Sequence, residues 1–254
     1  MSDREPLAGR RILVTRGSSD PLTERLRVLG ATVIEVPTIR IAPAEDPAPL
    51  DAALEGVQGY DWIVFTSGKA VQAVADRLPA LGRKLPPTLR VASVGPATTA
   101  RCREILGTGV DLEPLHDYRA EGLLQAFSLK GVAGLRVLVP ASDRARGTLA
   151  QGLRDLGASV DALVAYRTVT PEGLAPRLAT ALGAGIDLVT LASPSAVEGY
   201  VAGSPSRGIG IPVAVLGPVT ATAAREAGLD LRVVAHPSTV EGLVKGIVGF
   251  FGGA

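Results

Sequence analysis

The chain has 254 residues, of which 46% are hydrophobic and 20% are charged, with a formal net charge of +1 at pH 7. This length allows one large domain or two smaller ones, and the balanced charge gives no sign of nucleic-acid binding. The single cysteine excludes an intramolecular disulfide. Without a secretory h-region or an apolar stretch of membrane-spanning length, the sequence predicts a soluble, cytoplasmic protein with no membrane partner.

Four sequence blocks occur twice along the chain, in the same order and at an offset of about 120 to 127 positions. One chance similarity would mean little, but four in order predict an internal duplication. The pairs are RRILVTRGSSDPLTERLRVLGATV (10–33) with LRVLVPASDRARGTLAQGLRDLGASV (135–160), DWIVFTSGKAVQAV (61–74) with DLVTLASPSAVEGY (187–200), SVGPATTARCRE (93–104) with VLGPVTATAARE (215–226), and RAEGLL (119–124) with TVEGLV (239–244).

The blocks combine short apolar runs with helical patterns. Runs such as ILVT (12–15) and WIVFT (62–66) are apolar throughout, as in strands that are covered on both faces. Apolar residues at helical spacing follow, for example Leu22, Leu26 and Leu29. Strands that alternate with helices predict an α/β fold with parallel sheets. We therefore expect two similar flavodoxin-like lobes from the duplicated halves.

Residues typical of helix starts follow the apolar runs. Ser67 and Ser193 stand at predicted N-cap positions. Ser238 with Glu241 matches the capping-box pattern and predicts the start of the last helix. Two extended segments lie outside this pattern at matching places in the repeats. They are EVPTIRIAP (35–43) and LVAYRTVTP (163–171), and we expect them to connect the lobes.

The carboxyl ends of the predicted strands are the expected ligand-binding positions, because open parallel sheets bind ligands there. The sequence places hydroxyl groups, glycines and helix N-termini at these ends, and free helix N–H groups suit anions. The candidate binding residues are Thr15, Arg16, Ser67, Gly95, Thr98, Ser193, Gly217 and Thr220. If two lobes face each other, these residues predict a cleft for a ligand with several carboxylates or phosphates.

Each candidate also has a purely structural interpretation. The two serines fit plain N-caps, and the Gly–Pro pairs fit tight turns. Arg16, Arg144 and Arg146 fit surface charges. Tyr166, in the second extended segment, fits a packing role as well as a role in the cleft.

Several common catalytic constellations are missing from the sequence. His116 and His236 have no partner at metal-ligand spacing, and neither has a nearby serine or cysteine in an elbow motif. Phosphate-loop and dinucleotide fingerprints are absent, and Cys102 falls inside a predicted helix. The sequence therefore predicts a binding cleft without a metal and without a strong acid, base or nucleophile.

The ordered set of blocks resembles the uroporphyrinogen-III synthase family over nearly the whole chain. The motifs that carry the resemblance are ILVTR (12–16), FTS (65–67), SVGPATT (93–99), AYRT (165–168), SPSAV (193–197), LGPVTATA (216–223) and TVEGLV (239–244). The resemblance implies that the chain crosses between lobes at both extended segments. The implied boundaries are 1–36 plus 169–254 for one lobe, 41–164 for the other, and 37–40 and 165–168 for the connectors. A contiguous split near Gly131 is the alternative.

The resemblance also implies an activity. The family converts hydroxymethylbilane, a linear tetrapyrrole with eight carboxylates, to uroporphyrinogen III by loss of water. Ring D is inverted through a proposed spiro intermediate, and no cofactor is implied. The substrate also closes spontaneously without inversion, so positioning dominates catalysis. Tyr166 matches the family's connector tyrosine, the usual candidate for the acid, and the hydroxyl and glycine candidates match family positions that bind substrate carboxylates.

Two departures from the family pattern concern arginines. Gly17 stands where the family commonly has a proline, and ASDRAR (141–146) replaces a glycine-rich turn, which affects the roles of Arg16 and Arg146. The alternatives are a non-catalytic two-lobed binding protein for a small anionic ligand and a duplicated flavodoxin-like regulatory domain, which would need acidic strand ends. The family interpretation predicts a monomer and leaves open a transient contact with the preceding enzyme of the pathway.

Overall fold

The computed structural model describes residues 5–17, 21–204, 208 and 210–252. The chain forms two compact units. One unit comprises the chain up to Arg40 together with the chain from Val169 onwards, and the second comprises Ile41–Thr168. The chain thus leaves the first unit at Arg40 and returns at Val169. Gly131, the position of the contiguous alternative, lies inside the second unit at the end of a helix.

Strands and helices alternate along the chain. As far as Lys130 they are β1 (Arg11–Val14), α1 (Pro21–Val28), β2 (Thr32–Glu35), β3 (Arg40–Pro43), α2 (Ala48–Glu55), β4 (Trp62–Phe65), α3 (Gly68–Ala80), β5 (Arg90–Ser93), α4 (Pro96–Arg101) and α5 (Ala120–Lys130). They continue as β6 (Arg136–Ser142), α6 (Thr148–Asp155), β7 (Ser159–Val169), α7 (Leu174–Gly183), β8 (Leu188–Leu191), α8 (Pro194–Gly203), β9 (Val213–Val215), α9 (Pro218–Glu226), β10 (Leu231–Val234) and α10 (Val240–Gly252). A 3-10 turn occupies Val57–Gly59, and a π-helical segment, Cys102–Leu106, follows α4. Across the described ranges, no helix has the length and apolar character that crossing a membrane requires.

The first unit contains a five-stranded sheet in the order β10-β9-β8-β1-β2. Its neighbouring strands pair in parallel, and Val14 lies opposite both Glu35 and Thr190. Numbered within the unit, this is the 2-1-3-4-5 order of flavodoxin-like sheets. Because the strands are parallel, their carboxyl ends lie along one edge.

Helices cover both faces of this sheet. Ile12 and Val14 belong to a core cluster that includes Leu243, whereas Leu13 belongs to a second cluster that includes Tyr200. Successive strand residues point to opposite faces, and both faces here are buried. The double coverage explains why the strand is apolar at every position rather than at alternate ones.

The second unit has a five-stranded sheet in the order β3-β7-β6-β4-β5. The pairs β7–β6, β6–β4 and β4–β5 are parallel. Leu112 adds an isolated parallel bridge to Ala92 beyond β5. The order β7-β6-β4-β5-Leu112 corresponds to β2-β1-β8-β9-β10 when the repeated sequence blocks are matched. The predicted α/β class with two parallel sheets is confirmed, and the duplication itself stays a prediction.

The two serines expected at helix starts are N-caps. The Ser67 hydroxyl oxygen accepts a hydrogen bond from the backbone N–H of Ala70 at 3.2 Å, and Ser193 accepts one from Ala196 at 3.2 Å. Each bond satisfies one of the amide groups that a helix start leaves without a partner. The local pattern thus places the amino ends of α3 and α8 correctly.

The predicted start of the last helix is wrong by one residue. Helix α10 begins at Val240, and the backbone N–H of Gly242 donates to the Thr239 hydroxyl at 3.1 Å. Thr239, not Ser238, is therefore the capping side chain, and Glu241 does not sit where a capping box needs it. An N-cap must directly precede the first helical residue, and two adjacent hydroxyl residues left the sequence pattern ambiguous.

The repeated Glu–Gly–Leu segments share one packing feature. A Cβ atom on Gly122 would overlap the carbonyl oxygen of Asp117, and a Cβ atom on Gly242 would overlap that of Pro237. In both cases the helix backbone lies directly against the preceding loop. Glycine permits this close approach, so the need for space accounts for the repeated glycine.

We expect Gly242→Ala to lower the free energy of unfolding by about 1–3 kcal/mol, because the added methyl group forces the loop and helix apart. Gly249→Ala is a control in the same helix. Gly249 is exposed, and a Cβ atom there would meet nothing within 4 Å. The control substitution should raise the free energy of unfolding by about 0.5–1 kcal/mol, because alanine favours the helix more than glycine does. Urea unfolding followed by circular dichroism measures both values, and equal changes in the two variants would contradict the packing argument.

Candidate functional site

A pocket of about 810 Å³ opens in the second unit, beside two residues that the sequence analysis selected. It lies where β4 and β7 end and α3 begins. One part of its wall is apolar and comes from β3 and α2, and the other part carries polar and charged side chains. The lining residues are Ile41, Ala42, Pro43, Ala44, Pro47, Leu50, Ser67, Gly68, Lys69, Gln72, Ala73, Asp76, Arg77, Arg101, Ala165 and Tyr166.

The Tyr166 and Ser67 hydroxyl groups meet at this pocket. The two oxygens are 3.1 Å apart, although the residues are 99 positions apart in the sequence. Tyr166 is only 8% exposed, so its ring is packed while its hydroxyl contacts a polar partner. Ser67 Oγ accepts the Ala70 N–H as well. Either hydroxyl can donate to the other, and when Ser67 donates, the tyrosine proton is left for a ligand.

The turn after β6 fixes the backbone of Tyr166. The Asp143 N–H donates to the Tyr166 carbonyl at 3.1 Å, and the Asp143 carboxylate accepts from the Thr168 N–H at 3.1 Å. Ser142 also donates to that carboxylate at 2.9 Å. This turn is the ASDRAR segment, which stands where the family pattern has a glycine-rich turn. Its Ser–Asp pair thus ties the end of β7 to the end of β6.

Gly95 precedes α4, as the sequence predicted, but its surroundings give it a structural reason. Its backbone is extended, so the conformation itself does not require glycine. A Cβ atom there would lie 3.0 Å from ring atoms of Tyr118. Tyr118 is 51% exposed and packs across this turn. Thr98, in the first turn of α4, is 5% exposed, and none of the hydrogen bonds in the described ranges uses its hydroxyl.

A carboxylate that the sequence analysis missed lies beside this turn. The Thr99 hydroxyl donates to the Glu113 carboxylate, and the Ser93 hydroxyl oxygen lies 2.5 Å from that of Thr99. Ser93 is fully buried and Thr99 is 7% exposed. The network holds the end of β5 against the start of α4. Nothing in the local pattern around Glu113 indicates this contact.

Thr15 lies at the end of β1, where it was expected, but its hydroxyl is engaged within the sheet. It donates to the Thr190 carbonyl at 2.7 Å, and the residue is 1% exposed. A hydroxyl has one proton to donate, and a carboxylate has none to offer in return. The described geometry therefore gives the Thr15 side chain a structural bond across β1 and β8, and leaves its carbonyl to accept from Thr38.

The starts of α8 and α9 stand side by side along the edge of the first sheet, because β8 and β9 are neighbours. Ser193 caps α8, and its hydroxyl lies 3.1 Å from that of Ser195. A Cβ atom on Gly217 would lie 3.1 Å from the Ser238 hydroxyl oxygen. Thr220, in the first turn of α9, is 4% exposed. These groups form a second polar edge of hydroxyls and helix amides.

The three arginines that the sequence offered as candidates are not among the residues that line this pocket. Arg16 is half-buried beyond β1, and Arg144 and Arg146 are exposed in the turn after β6. The pocket instead contains Arg101, which the sequence analysis did not select. The repeats hold a signal that could have found it, because Ala223 occupies the matching position in the second copy.

The single cysteine is not a nucleophile in this structure. Cys102 is fully buried, and burial raises the pKa of its thiol to about 11. Within the ranges that the structure describes, no group of histidine, cysteine, aspartate or glutamate side chains is placed to hold a metal ion. The polar groups at these sheet edges are hydroxyls, amides and cations, together with the carboxylates of Glu113 and Asp143.

The fold and these sites define a class: a two-unit α/β protein that presents hydroxyls and helix amino ends along the carboxyl edges of its parallel strands. A sequence model of the family described as "Uroporphyrinogen-III synthase HemD" matches residues 20–245. The chain is 32% identical over 234 residues to the uroporphyrinogen-III synthase of Synechococcus elongatus, covering 87% of this chain and 88% of the relative. It is 30% identical over 223 residues to the chloroplastic enzyme of Oryza sativa subsp. japonica, covering 85% and 72% respectively.

A solved structure, that of a mutant uroporphyrinogen III synthase from Thermus thermophilus, has the same fold. It superposes with a TM-score of 0.70 at 20% identity, covering 97% of this chain and 100% of that one. The chain belongs to the uroporphyrinogen-III synthase family.

We expect Ser67→Ala and Tyr166→Phe to be energetically coupled in a double-mutant cycle. The two hydroxyls are in contact, and such pairs show interaction energies of about 0.5–3 kcal/mol. Urea unfolding of the wild type, both single variants and the double variant measures the coupling. The control pair is Ser67→Ala with Tyr60→Phe. The hydroxyl that the second change removes, that of Tyr60, donates to Asp161 at 2.6 Å. The changes in the free energy of unfolding for that control pair should add within about 0.5 kcal/mol. If the changes for Ser67→Ala and Tyr166→Phe also add, the two hydroxyls are not energetically coupled and the proposed contact is wrong.

Proposed function

We propose that the protein cyclises hydroxymethylbilane to uroporphyrinogen III, with loss of water and inversion of ring D. It would act as a cyclising hydro-lyase of tetrapyrrole biosynthesis. Family membership supports the reaction, and one observation in the structure carries the mechanism. The Tyr166 hydroxyl, 3.1 Å from Ser67 Oγ, lines an open pocket among positive charges.

Tyr166 is the proposed proton donor. The substrate's terminal carbon–oxygen bond breaks, and the tyrosine proton converts the departing hydroxide into water. When Ser67 donates to the tyrosine oxygen, it stabilises the phenolate formed by this transfer. The cationic methylene group left on the substrate is attacked by the substituted α-carbon of ring D, the pyrrole at the other end of the chain, which gives the spiro intermediate. The bond from that carbon to its original methylene bridge then breaks, and the released methylene bonds to the unsubstituted α-carbon of ring D, which inverts the ring. The proton lost when that ring regains aromaticity returns to the tyrosine, so the enzyme is restored.

The remaining candidates would bind substrate carboxylates. Ser193 and Gly217 stand at the starts of helices with ten and nine residues, whose first N–H groups attract anions. In this proposal Thr220 adds a hydroxyl to the Gly217 turn, and the Gly95 turn with Thr98 offers similar groups in the second unit. In this proposal Thr15 would contribute its backbone N–H rather than its hydroxyl or its carbonyl, and Arg16 stays a candidate contact.

A binding protein without catalysis is the alternative. The matched relatives are named synthases, and the matches cover most of their length. This similarity does not favour the alternative. The predictions of a cytoplasmic monomer, and of a transient contact with the preceding enzyme, stay predictions. The proposed chemistry depends on neither of them.

Tyr166→Phe should lower the turnover number by about 100-fold, because it removes a general acid while keeping the ring. Hydroxymethylbilane is generated in situ, the products are oxidised, and the porphyrin isomers are separated. Because the uncatalysed closure gives the type I isomer, the type III fraction reports catalysis directly. Tyr60→Phe is the matched control. It removes a tyrosine hydroxyl from the same unit at the opposite end of β4 and should keep wild-type turnover.

Two results would contradict the proposal, and they bear on different parts of it. If the wild type yields type III isomer only at the no-enzyme background, the synthase activity fails. If the wild type is active and Tyr166→Phe retains its turnover, Tyr166 has no catalytic role. Circular dichroism spectra and melting curves of each variant establish that the comparison is between folded proteins.

A further inference from the structure

Arg101 stands at the same pocket as Tyr166 and Ser67, although it comes from a different helix. It is the last residue of α4, and its side chain crosses the first turn of α3. A Cβ atom on Gly68 would lie 3.0 Å from Arg101 Cγ. Glycine at the start of α3 therefore leaves the space in which the arginine stem lies, and this packing brings the guanidinium to the rim of the pocket.

Two hydrogen bonds orient that guanidinium. Nη1 donates to Glu104 at 2.8 Å, and Nη2 donates to the side-chain oxygen of Gln72 at 3.0 Å. The Gln72 amide nitrogen in turn donates to Asp76 at 2.7 Å, which fixes its direction. A guanidinium has five N–H donors, and these bonds use two of them. The side chain is 41% exposed, so the remaining donors are within reach of a ligand.

The other arginine of the pocket is differently placed. Arg77 is engaged with the Asp51 carboxylate through both its Nε and an Nη nitrogen. Its charge is thus neutralised by a bidentate pair within the unit. Arg101 is held by the neutral Gln72 and by a pair with the exposed Glu104, and exposed pairs of this kind are weak. Arg101 is therefore the arginine of the pocket that a ligand carboxylate can engage.

The shape of the pocket complements this charge. The wall opposite α3 is apolar and includes Ile41, Pro43 and Leu50. An apolar wall with a cation at the rim suits a flat ring that carries carboxylate arms, because the ring loses contact with water while its arms keep charged partners. A pocket of about 810 Å³ has room for such a ring with its side chains.

We propose that Arg101 is a substrate-binding residue that holds a carboxylate arm of one pyrrole ring of the substrate in this pocket. The proposal rests on the proposed function, since it assigns the ring and its arms to that substrate. Gly68 and Gln72 are positioning residues, which act through Arg101. The arginine holds the ring beside the Tyr166 hydroxyl.

Arg101→Gln tests this role. We expect KM for hydroxymethylbilane to rise about tenfold or more, since a hydrogen bond to a charged group is lost, while kcat changes less than twofold. Arg101→Lys should recover part of the affinity, because it restores the charge without the planar fork. Arg103→Gln is the matched control, because Arg103 is exposed two positions later on the same helical segment. It should leave KM unchanged.

Gly68→Ala provides a second variant that keeps every charge. The added methyl group displaces the arginine stem, so KM should again rise while kcat is kept. Melting curves identify folded variants. The proposal is overturned if Arg101→Gln and Gly68→Ala both keep wild-type KM within twofold, or if Arg101→Gln lowers kcat and leaves KM unchanged.

A binding measurement separates this proposal from the synthase activity. The probe is uroporphyrin III, the oxidised aromatic octacarboxylate, whose fluorescence is titrated with each protein. A Kd that rises about tenfold in Arg101→Gln but not in Arg103→Gln supports the arginine site even if the wild type forms no type III isomer. Equal Kd values for the wild type and Arg101→Gln, together with type III formation by the wild type, would leave the synthase activity standing and overturn the role of Arg101.

Discussion

The parallel arrangement of each sheet is the constraint on which the rest of this protein depends. Parallel strands need crossover helices, and helices on both faces make the strands apolar throughout. The same arrangement sends the carboxyl ends of the parallel strands, and the amino ends of the helices that follow them, to one edge of the sheet. Ser67 and Ser193 are N-caps for this reason, and the same position places them at the edge where open parallel sheets bind ligands. A structural role and the proposed binding role are therefore compatible at such residues.

Close approach is the second constraint, and glycine meets it at several of the repeated positions. Gly122 and Gly242 let a helix lie on a loop carbonyl, and Gly95 lets Tyr118 pack across a turn. None of these three residues has the left-handed backbone conformation that would itself require glycine. What they share is the absence of room for a methyl group. These repeated glycines therefore mark close contacts, with a loop carbonyl at Gly122 and Gly242 and with an aromatic side chain at Gly95.

The sequence could predict the features that are local or repeated. Short sequence patterns predict the helix starts at Ser67 and Ser193. They also predict the two parallel sheets and the coverage of both faces of their strands. The cap of the last helix was missed by one residue, since Ser238 and Thr239 carry equivalent hydroxyls. Contacts such as Arg101 on Gly68 were beyond the local pattern, because they join elements 33 positions apart with no motif in common. Their only sequence signal is a difference between the repeats, an arginine in one copy and an alanine in the other.

The proposed reaction is one that the substrate also undergoes by itself, to a different product. An enzyme in this situation must favour one ring closure over another, and differences in binding of about 1.4 kcal/mol change such a ratio tenfold. In the proposed mechanism the tyrosine is a mild acid, and holding the leaving group beside it lowers the barrier. The positioning of the ring then matters more than acid strength. Arg101, held by Gly68 packing and by Gln72, is the element of the pocket best suited to that positioning.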